Sequence, residues 1–587
     1  MKDWTIMIYM AGDNNLAVDM AYALEQIRDV AAAGDESPNL FVYYDGNSPV
    51  IPTLYCDFSD PVNPKYVPSY RVPDKLHDVP NKTNENAADF RSIINFTDWC
   101  MNKVEVEDAN GEITYGRRAH KYAFIFSGHS LGFQDIGLFR DETSGKTMKM
   151  NDLAWILTRL TNNKEQQKGW IEGIDLDDDI VKRDMTVLIG QPIDLLGFDA
   201  CVMGMLEVGY QFSTVAKTMI ASEGSVPSAG WTYAKILKGL VAGDGGNTDS
   251  NAVAERFVRN FIESQDAFTV GGVSVDMAAW DLSKILELAK AFDNLAAILI
   301  DCFAENDKIY RQMERVILQV HWKCQSYMYD QNVDLGDFCE LLDKEIGLMI
   351  EEMGYVDRGI LNDVQDCCRD VLERLRAVVI LSGFSGGEYQ YSNGISVFFP
   401  WSREGYEVSR ENYEELLFVK DTGRGKALMW SGFLRKYLQD VALRKFDSPE
   451  TDAENGTKYR YYSGFPFDDD HFGTHFNDTD KKLAGSKDSK LAGSKDSKLA
   501  GSKDSKLAGS KDSKLAGSKD SKLAGSKDSK LAGSKDSKMA GSKDSKLAGS
   551  KDSKMGGSGS SSFFDNLRLF KNIESRWNIS GFTKKPE

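Results

Sequence analysis

Tyr122-Ala-Phe-Ile-Phe-Ser127 runs into Gly128-His129-Ser130, and Ile193-Asp-Leu-Leu-Gly-Phe198 runs into Asp199-Ala200-Cys201. Both apolar runs have the length and bulk of a buried strand, and both end in small or polar residues, as a strand does where it opens into a loop. In an open parallel sheet, ligands and reacting groups collect at the carboxyl ends of the strands. If both runs belong to one such sheet, an imidazole and a thiol project from the same edge. That pair is the minimum equipment for nucleophilic acyl transfer by cysteine.

Working outward, strand-like stretches near 4–10, 39–45, 121–127, 193–198 and 217–222 alternate with helical patterns near 16–32, 86–102, 151–162, 202–213 and 232–241. Such alternation predicts parallel strands joined by crossover helices, an α/β fold. Further on, the pattern predicts helices at 252–265 and 279–304, a strand near 269–276, a helix-rich segment 305–376, a last strand pair at 377–382 and 394–399, and helices near 411–441. We therefore expect a catalytic layer over 1–245 and an extension over 246–445 packed against it.

The 587 residues are 41% hydrophobic, enough for a large core and more than one domain. A net charge of −18 argues against nucleic acid as a partner and suits attraction of basic substrates. The eight cysteines, at 56, 100, 201, 302, 324, 339, 367 and 368, show neither metal-binding spacing nor a disulfide framework. All but Cys201 read as reduced core or surface thiols, which predicts a reducing, cytoplasmic setting. The opening MKDWTIMIYM reads as a strand rather than a signal peptide. Secretion is the alternative, if a leader is removed before residue 1.

Several stretches around the His–Cys pair resemble the clostripain family of cysteine peptidases, which share the caspase-like fold. They are Trp4-Thr-Ile-Met-Ile-Tyr-Met-Ala-Gly-Asp13-Asn14-Asn15-Leu16, Gly197-Phe-Asp-Ala-Cys-Val-Met-Gly-Met-Leu-Glu-Val208, Ala221-Ser-Glu223, Gly230-Trp231-Thr232-Tyr233 and Asn393-Gly-Ile-Ser-Val-Phe-Phe-Pro400. The match runs in order over about the first 440 residues. It implies a mostly parallel sheet sandwiched by helices, with Cys201 as nucleophile and His129 as base and acid. The oxyanion hole would be the backbone N–H groups of Cys201 and of Ser130, a position held by glycine in the wider clan. The resemblance also implies cleavage after Lys or Arg. One acid of the specificity pocket falls on Asp199. The second falls on Thr232, a departure that brings Glu223 forward as a substitute. Asp199 has a second reading, as an orienter of the nucleophile turn through its own hydrogen bonds. A helix beginning at Cys201 would favour its thiolate.

Relatives are often matured by an internal cut, and Lys164, Lys168, Lys182 and Arg183 lie in a long polar insertion between His129 and Cys201. No cofactor is expected. Some relatives depend on calcium, but Asp175-Leu-Asp-Asp-Asp179 lacks the spacing of an EF-hand loop and reads as a solvated charge run. A second functional class stays open: a lapsed caspase-like scaffold that acts through its C-terminal helix.

That helix lies at the end of a long tether. A polar linker, 446–482, leads into Leu-Ala-Gly-Ser-Lys-Asp-Ser-Lys octamers from Leu483 to Lys554, with Met539 replacing one leucine. One apolar residue per octamer cannot build a core, so the tract reads as a disordered, basic spacer. Beyond it, Phe564, Leu567, Phe570, Ile573 and Trp577 form one stripe of an amphipathic helix over 563–577, within a terminal segment 555–587. It would dock on its own body, on a partner protein or on a membrane surface.

Overall fold

Strand β1 (Lys2–Gly12) is buried from Trp4 onward, and apart from Thr5 its side chains on both faces are apolar or aromatic. Burial on both faces marks a central strand of a parallel sheet covered by helices. In the computed structural model, β1 sits near the middle of a nine-stranded sheet. The structure describes most of residues 2–438; the stretches 162–187, 238–248, 266–273, several shorter ones and everything from 439 onward lie outside it. The insertion with its candidate cleavage sites Lys164, Lys168, Lys182 and Arg183, the Asp175–Asp179 run, the octamer tract and the terminal helix are therefore outside the described residues.

The remaining strands are β2 (Asn39–Gly46), β3 (Leu54–Asp57), β4 (Lys65–Pro68), β5 (Glu105–Glu107), β6 (Ile113–Tyr115), β7 (Ala119–Ser127), β8 (Ile193–Asp199), β9 (Ala216–Ala221), β10 (Val275–Asp281), β11 (Asn332–Asp334), β12 (Val379–Ser385) and β13 (Ser396–Phe398). Their order in the main sheet is β12-β10-β9-β8-β7-β1-β2-β3-β4. The five strands from β9 to β2 are parallel, and the two added at each edge are antiparallel. From β1 the chain moves one way to β2, then reverses to β7, β8 and β9. Right-handed crossovers across such a reversal put helices on both faces. Helix Ala17–Ala32 packs with Tyr233–Ile236, which packs in turn with Ser250–Ser264. Phe90–Met101 packs with Met150–Leu160, and Leu206–Gln211 with Ile285–Cys302.

The predicted α/β class and the five parallel strands are found. Three expectations are corrected. The predicted helix at 202–213 starts only at Leu206, because Cys201 and the next four residues form an irregular turn. The strand pair 377–382 and 394–399 does not exist as a pair: β12 completes the main sheet beside β10, and β13 pairs with β11 in a separate ribbon. Residue 245 divides no sheet either, since β10 and β12, from the supposed extension, are strands of the catalytic layer.

Glycines fix the closest approaches. A Cβ on Gly197, in β8, would lie 2.9 Å from the Trp231 ring, and one on Gly204 would lie 2.6 Å from the backbone nitrogen of Glu223. The second obstacle is main chain and cannot rotate away. Gly204→Ala is therefore expected to lower stability by about 1–3 kcal/mol. Gly432→Ala, with Ile300 at an ordinary 3.6 Å, should be neutral or gain about 0.5–1 kcal/mol. Thermal unfolding of the two variants checks the contrast.

Candidate active site

The register of the sheet sets the site. Ser127 at the end of β7 is paired with Asp199 at the end of β8, so His129 and Cys201 each lie two residues beyond a matched pair. The Gly128 N–H donates to the Asp199 carbonyl at 3.2 Å and prolongs the pairing. Both side chains open into one cleft of about 150 Å³ at the carboxyl ends of β1, β7 and β8, beside the point where strand order reverses. That volume suits one substrate side chain rather than a bulky cofactor.

His129 Nε2 lies 2.8 Å from Asn15 Oδ1, on the loop after β1. With Asn15 Oδ1 as the acceptor, the proton of the neutral ring is on Nε2 and Nδ1 is the basic nitrogen. Partial burial, helped by Arg140, lowers the imidazole pKa. His120 is exposed, and His321 is stacked between Phe399 and Trp401 at 3.8 and 3.7 Å, with burial pushing its pKa down to about 3.

Cys201 is partly buried. Its Sγ accepts the Val226 N–H at 3.3 Å and lies 3.7 Å from the Val226 carbonyl. Burial raises the thiol pKa, the Val226 bond opposes this, and Asp199 adds to it. No helix begins at Cys201 to offset the rise. Both shifts favour the uncharged forms of the pair. Val202 has φ of 59°, a left-handed conformation rare for a β-branched residue, and its N–H donates to the Gly224 carbonyl at 2.9 Å. The turn holding Cys201 is strained and tied down by the neighbouring segment. The backbone N–H groups of Ser130 and Cys201 donate to no other described residue. The Ser130 side chain is buried, with its hydroxyl on Met203 Sδ at 2.9 Å.

The other predicted residues separate. Asp199 lines the cleft, but its carboxyl is already held: Oδ2 accepts from Ser127 Oγ and from the Tyr233 hydroxyl, and Oδ1 from the Trp231 N–H, all at 2.9 Å. Burial pushes its pKa up to about 6 against these three donors. Gly230, at φ of 67°, can lie over this carboxylate because a Cβ there would come within 2.7 Å of Oδ2. Glu223 is fully buried away from the cleft, with Oε2 accepting the Gly394 N–H at 2.8 Å. Its N–H and that of Gly224 donate to Asp276. Glu223 supports the wall rather than the pocket. Thr232 also lies off the cleft, sharing a hydrogen bond with Ser264 at 2.8 Å. A second acid that lines the cleft is Asp19, on the helix Ala17–Ala32. It is half-buried, and desolvation raises its pKa. Sequence reading missed Asp19 because only the fold brings it to the cleft that Cys201 also lines. It missed the role of Asn15 as well, although Asp13-Asn14-Asn15 directly after a strand was a usable signal.

A cysteine and a histidine at one sheet edge, in a cleft that two acids also line, are the equipment of a cysteine peptidase. The chain belongs to the clostripain family, whose profile matches residues 8–435. It is 23% identical over 445 residues to clostripain of Hathewaya histolytica, covering 68% of this chain and 74% of that one. Among solved structures it is similar to a secreted C11 cysteine protease from Bacteroides thetaiotaomicron in complex with an irreversible peptide inhibitor, at 16% identity and a TM-score of 0.45, over 74% of this chain and 99% of that one. It is also similar to an inactive zymogen C11 protease from Parabacteroides distasonis, at 17% identity and a TM-score of 0.44, over 72% and 99%. Among the described residues, no helix is long and apolar enough to cross a membrane.

The raised thiol pKa has a measurable consequence. Alkylation of Cys201 by iodoacetamide should keep accelerating with pH beyond the ordinary thiol range of about 8.5. A plateau below pH 7 would show a thiolate already formed in the resting enzyme.

Proposed function

We propose that this peptidase is an endopeptidase cleaving after Lys or Arg, with Cys201 as nucleophile and His129 as base and acid. The observation that carries this reading is the cleft itself, which Asp19 and Asp199 line together with both residues and which, among the described residues, no Lys or Arg lines. A basic P1 side chain entering the cleft meets Asp19 on one wall and the Asp199 carboxylate below. An oxygen of Asp199 that has one donor can accept another. Asp19 then supplies the second acid that Thr232 lacks.

In the reaction, His129 Nδ1 takes the Cys201 proton as sulfur attacks the scissile carbonyl. The developing oxyanion is held by the amides of Ser130 and Cys201. The imidazolium returns its proton to the leaving amine, and water hydrolyses the thioester with His129 again as base. Asn15 keeps the ring in the tautomer this requires.

Self-cleavage within 162–187 fits the same specificity. The Ile189 and Gly190 N–H groups donate to the Leu160 carbonyl at 3.3 and 3.0 Å, which clamps together the two ends of that stretch. A cut at Lys164, Lys168, Lys182 or Arg183 would leave β8 seated. The octamer tract, with its regularly spaced lysines, is a further substrate in cis, and its cutting would free the 563–577 helix for a partner or membrane surface. All eight cysteines are free thiols, which favours a reducing compartment.

Cys201→Ala and His129→Ala should each lower peptide hydrolysis by orders of magnitude, and the double variant should be no worse than either. Asp19→Asn should lower kcat/KM on Lys- and Arg-terminated substrates about tenfold, while iodoacetamide still alkylates Cys201 at the wild-type rate. Preference for apolar or acidic P1 residues in a peptide library would contradict the specificity. Purified wild type should run as two pieces and Cys201→Ala as one chain. An intact, fully active wild type would rule out the internal cut as activation.

A further inference from the structure

The two amides assigned to the oxyanion come from different loops, one after β7 and one after β8. To act together they must converge on a single oxygen at about 2.7–3.1 Å. The sheet aligns the two chains only as far as the Gly128 N–H on the Asp199 carbonyl. Beyond it, among the described residues, no backbone hydrogen bond spans from 129–132 to 201–205. The nucleophile turn is held from its other side, with the Val202 N–H on the Gly224 carbonyl at 2.9 Å and the Gly204 N–H on the Ser222 carbonyl at 2.7 Å.

A side chain makes the missing link. The Ser130 hydroxyl donates to Met203 Sδ at 2.9 Å and accepts the Gly132 N–H at 3.1 Å. Ser130 and Met203 are both buried, so water cannot replace either partner. The Gly132 bond curls the loop over its own hydroxyl. Gly132, at φ of 65°, also lies against the turn: a Cβ there would come within 2.6 Å of Met205 Sδ and 3.0 Å of the Val202 carbonyl. Ser130 carries one of the two amides, and Met203 lies two residues beyond the other. One hydrogen bond therefore bridges the two halves of the hole.

We propose that Ser130 is a positioning residue through its side chain: its hydroxyl, held by Met203, sets the spacing of the Ser130 and Cys201 amides. The inference rests on the reading of Cys201 as nucleophile. Alanine or glycine at 130 would keep the amide and lose the link. The loss falls where the carbonyl oxygen gains charge, so it lowers the chemical step and leaves substrate binding alone.

The test compares full-length wild type, Ser130→Ala, Met203→Leu and the double variant on a lysine-terminated peptide coumarin amide. Two probes accompany it. The matching peptide aldehyde takes the Cys201 sulfur on its carbonyl carbon, the thiol proton passes to His129, and the oxygen is left where the oxyanion forms. Iodoacetamide alkylates the same sulfur and needs no hole. Ser130→Ala should lower kcat about tenfold with KM within about twofold, because a small misplacement of a donor is felt mainly in the transition state. The aldehyde should weaken by the same factor, while the iodoacetamide rate stays at the wild-type value. Met203→Leu, which keeps the volume and removes the acceptor, should do the same and covers the event that Ser130→Ala does not fold. The double variant should be no worse than either single one. Unchanged kcat and aldehyde affinity in either single variant, losses that add in the double, or a parallel fall in the iodoacetamide rate overturns the proposal. Normal turnover by Cys201→Ala would instead overturn the reading on which it rests.

Discussion

The Asp199 carboxylate ties the active site together. It ends β8, takes a hydroxyl bond from Ser127 at the matching end of β7, and takes two more bonds from Trp231 and Tyr233 on the cleft wall. Hydrogen bonds to a buried charged group contribute about 1.5–3 kcal/mol each, so three of them make a charge tolerable in a fully enclosed position. The same three bonds fix the strand ends that project His129 and Cys201, and the loop that closes the cleft. The position of the pair and the shape of the pocket therefore follow from one interaction. The two readings of this residue, orienter and pocket acid, do not exclude each other, because the residue that positions the wall also lines the cleft.

Around this lock, the site is electrostatically quiet. Burial moves the Cys201 thiol up and the His129 imidazole down, and both shifts favour the uncharged forms. A neutral pair costs little to keep in a half-buried cleft and becomes charged only when the thiol attacks. Strain at Val202 and the Val226 contact with Sγ hold the thiol in place meanwhile. The buried Glu223, with Asp276 and the Gly394 amide, braces the far side of that segment. Its acidity therefore serves the scaffold.

Much of this was legible in the sequence because the central strands are buried on both faces. Met7-Ile8-Tyr9 and Phe124-Ile125-Phe126 have no polar alternation to mislead, and the small residues after them mark the loops. The nucleophile turn was not legible. Val202-Met203 reads as the start of an apolar helix, and nothing local announces a residue held at positive φ by the Gly224 carbonyl. The pairing of β12 with β10 and of β13 with β11 was equally hidden, since partners more than fifty residues apart leave no local pattern. The same holds for Asp19, which is unremarkable along the chain and reaches the cleft only when the fold is assembled.

The most direct test of the account is covalent labelling of the full chain with a peptidyl chloromethyl ketone ending in lysine, beside its norleucine counterpart, with the adduct located by mass spectrometry. The account predicts one adduct per chain, on Cys201 and on none of the other seven cysteines, formed much faster by the lysine reagent. Equal rates for the two reagents, or an adduct on any other cysteine with Cys201 unmodified, would contradict it.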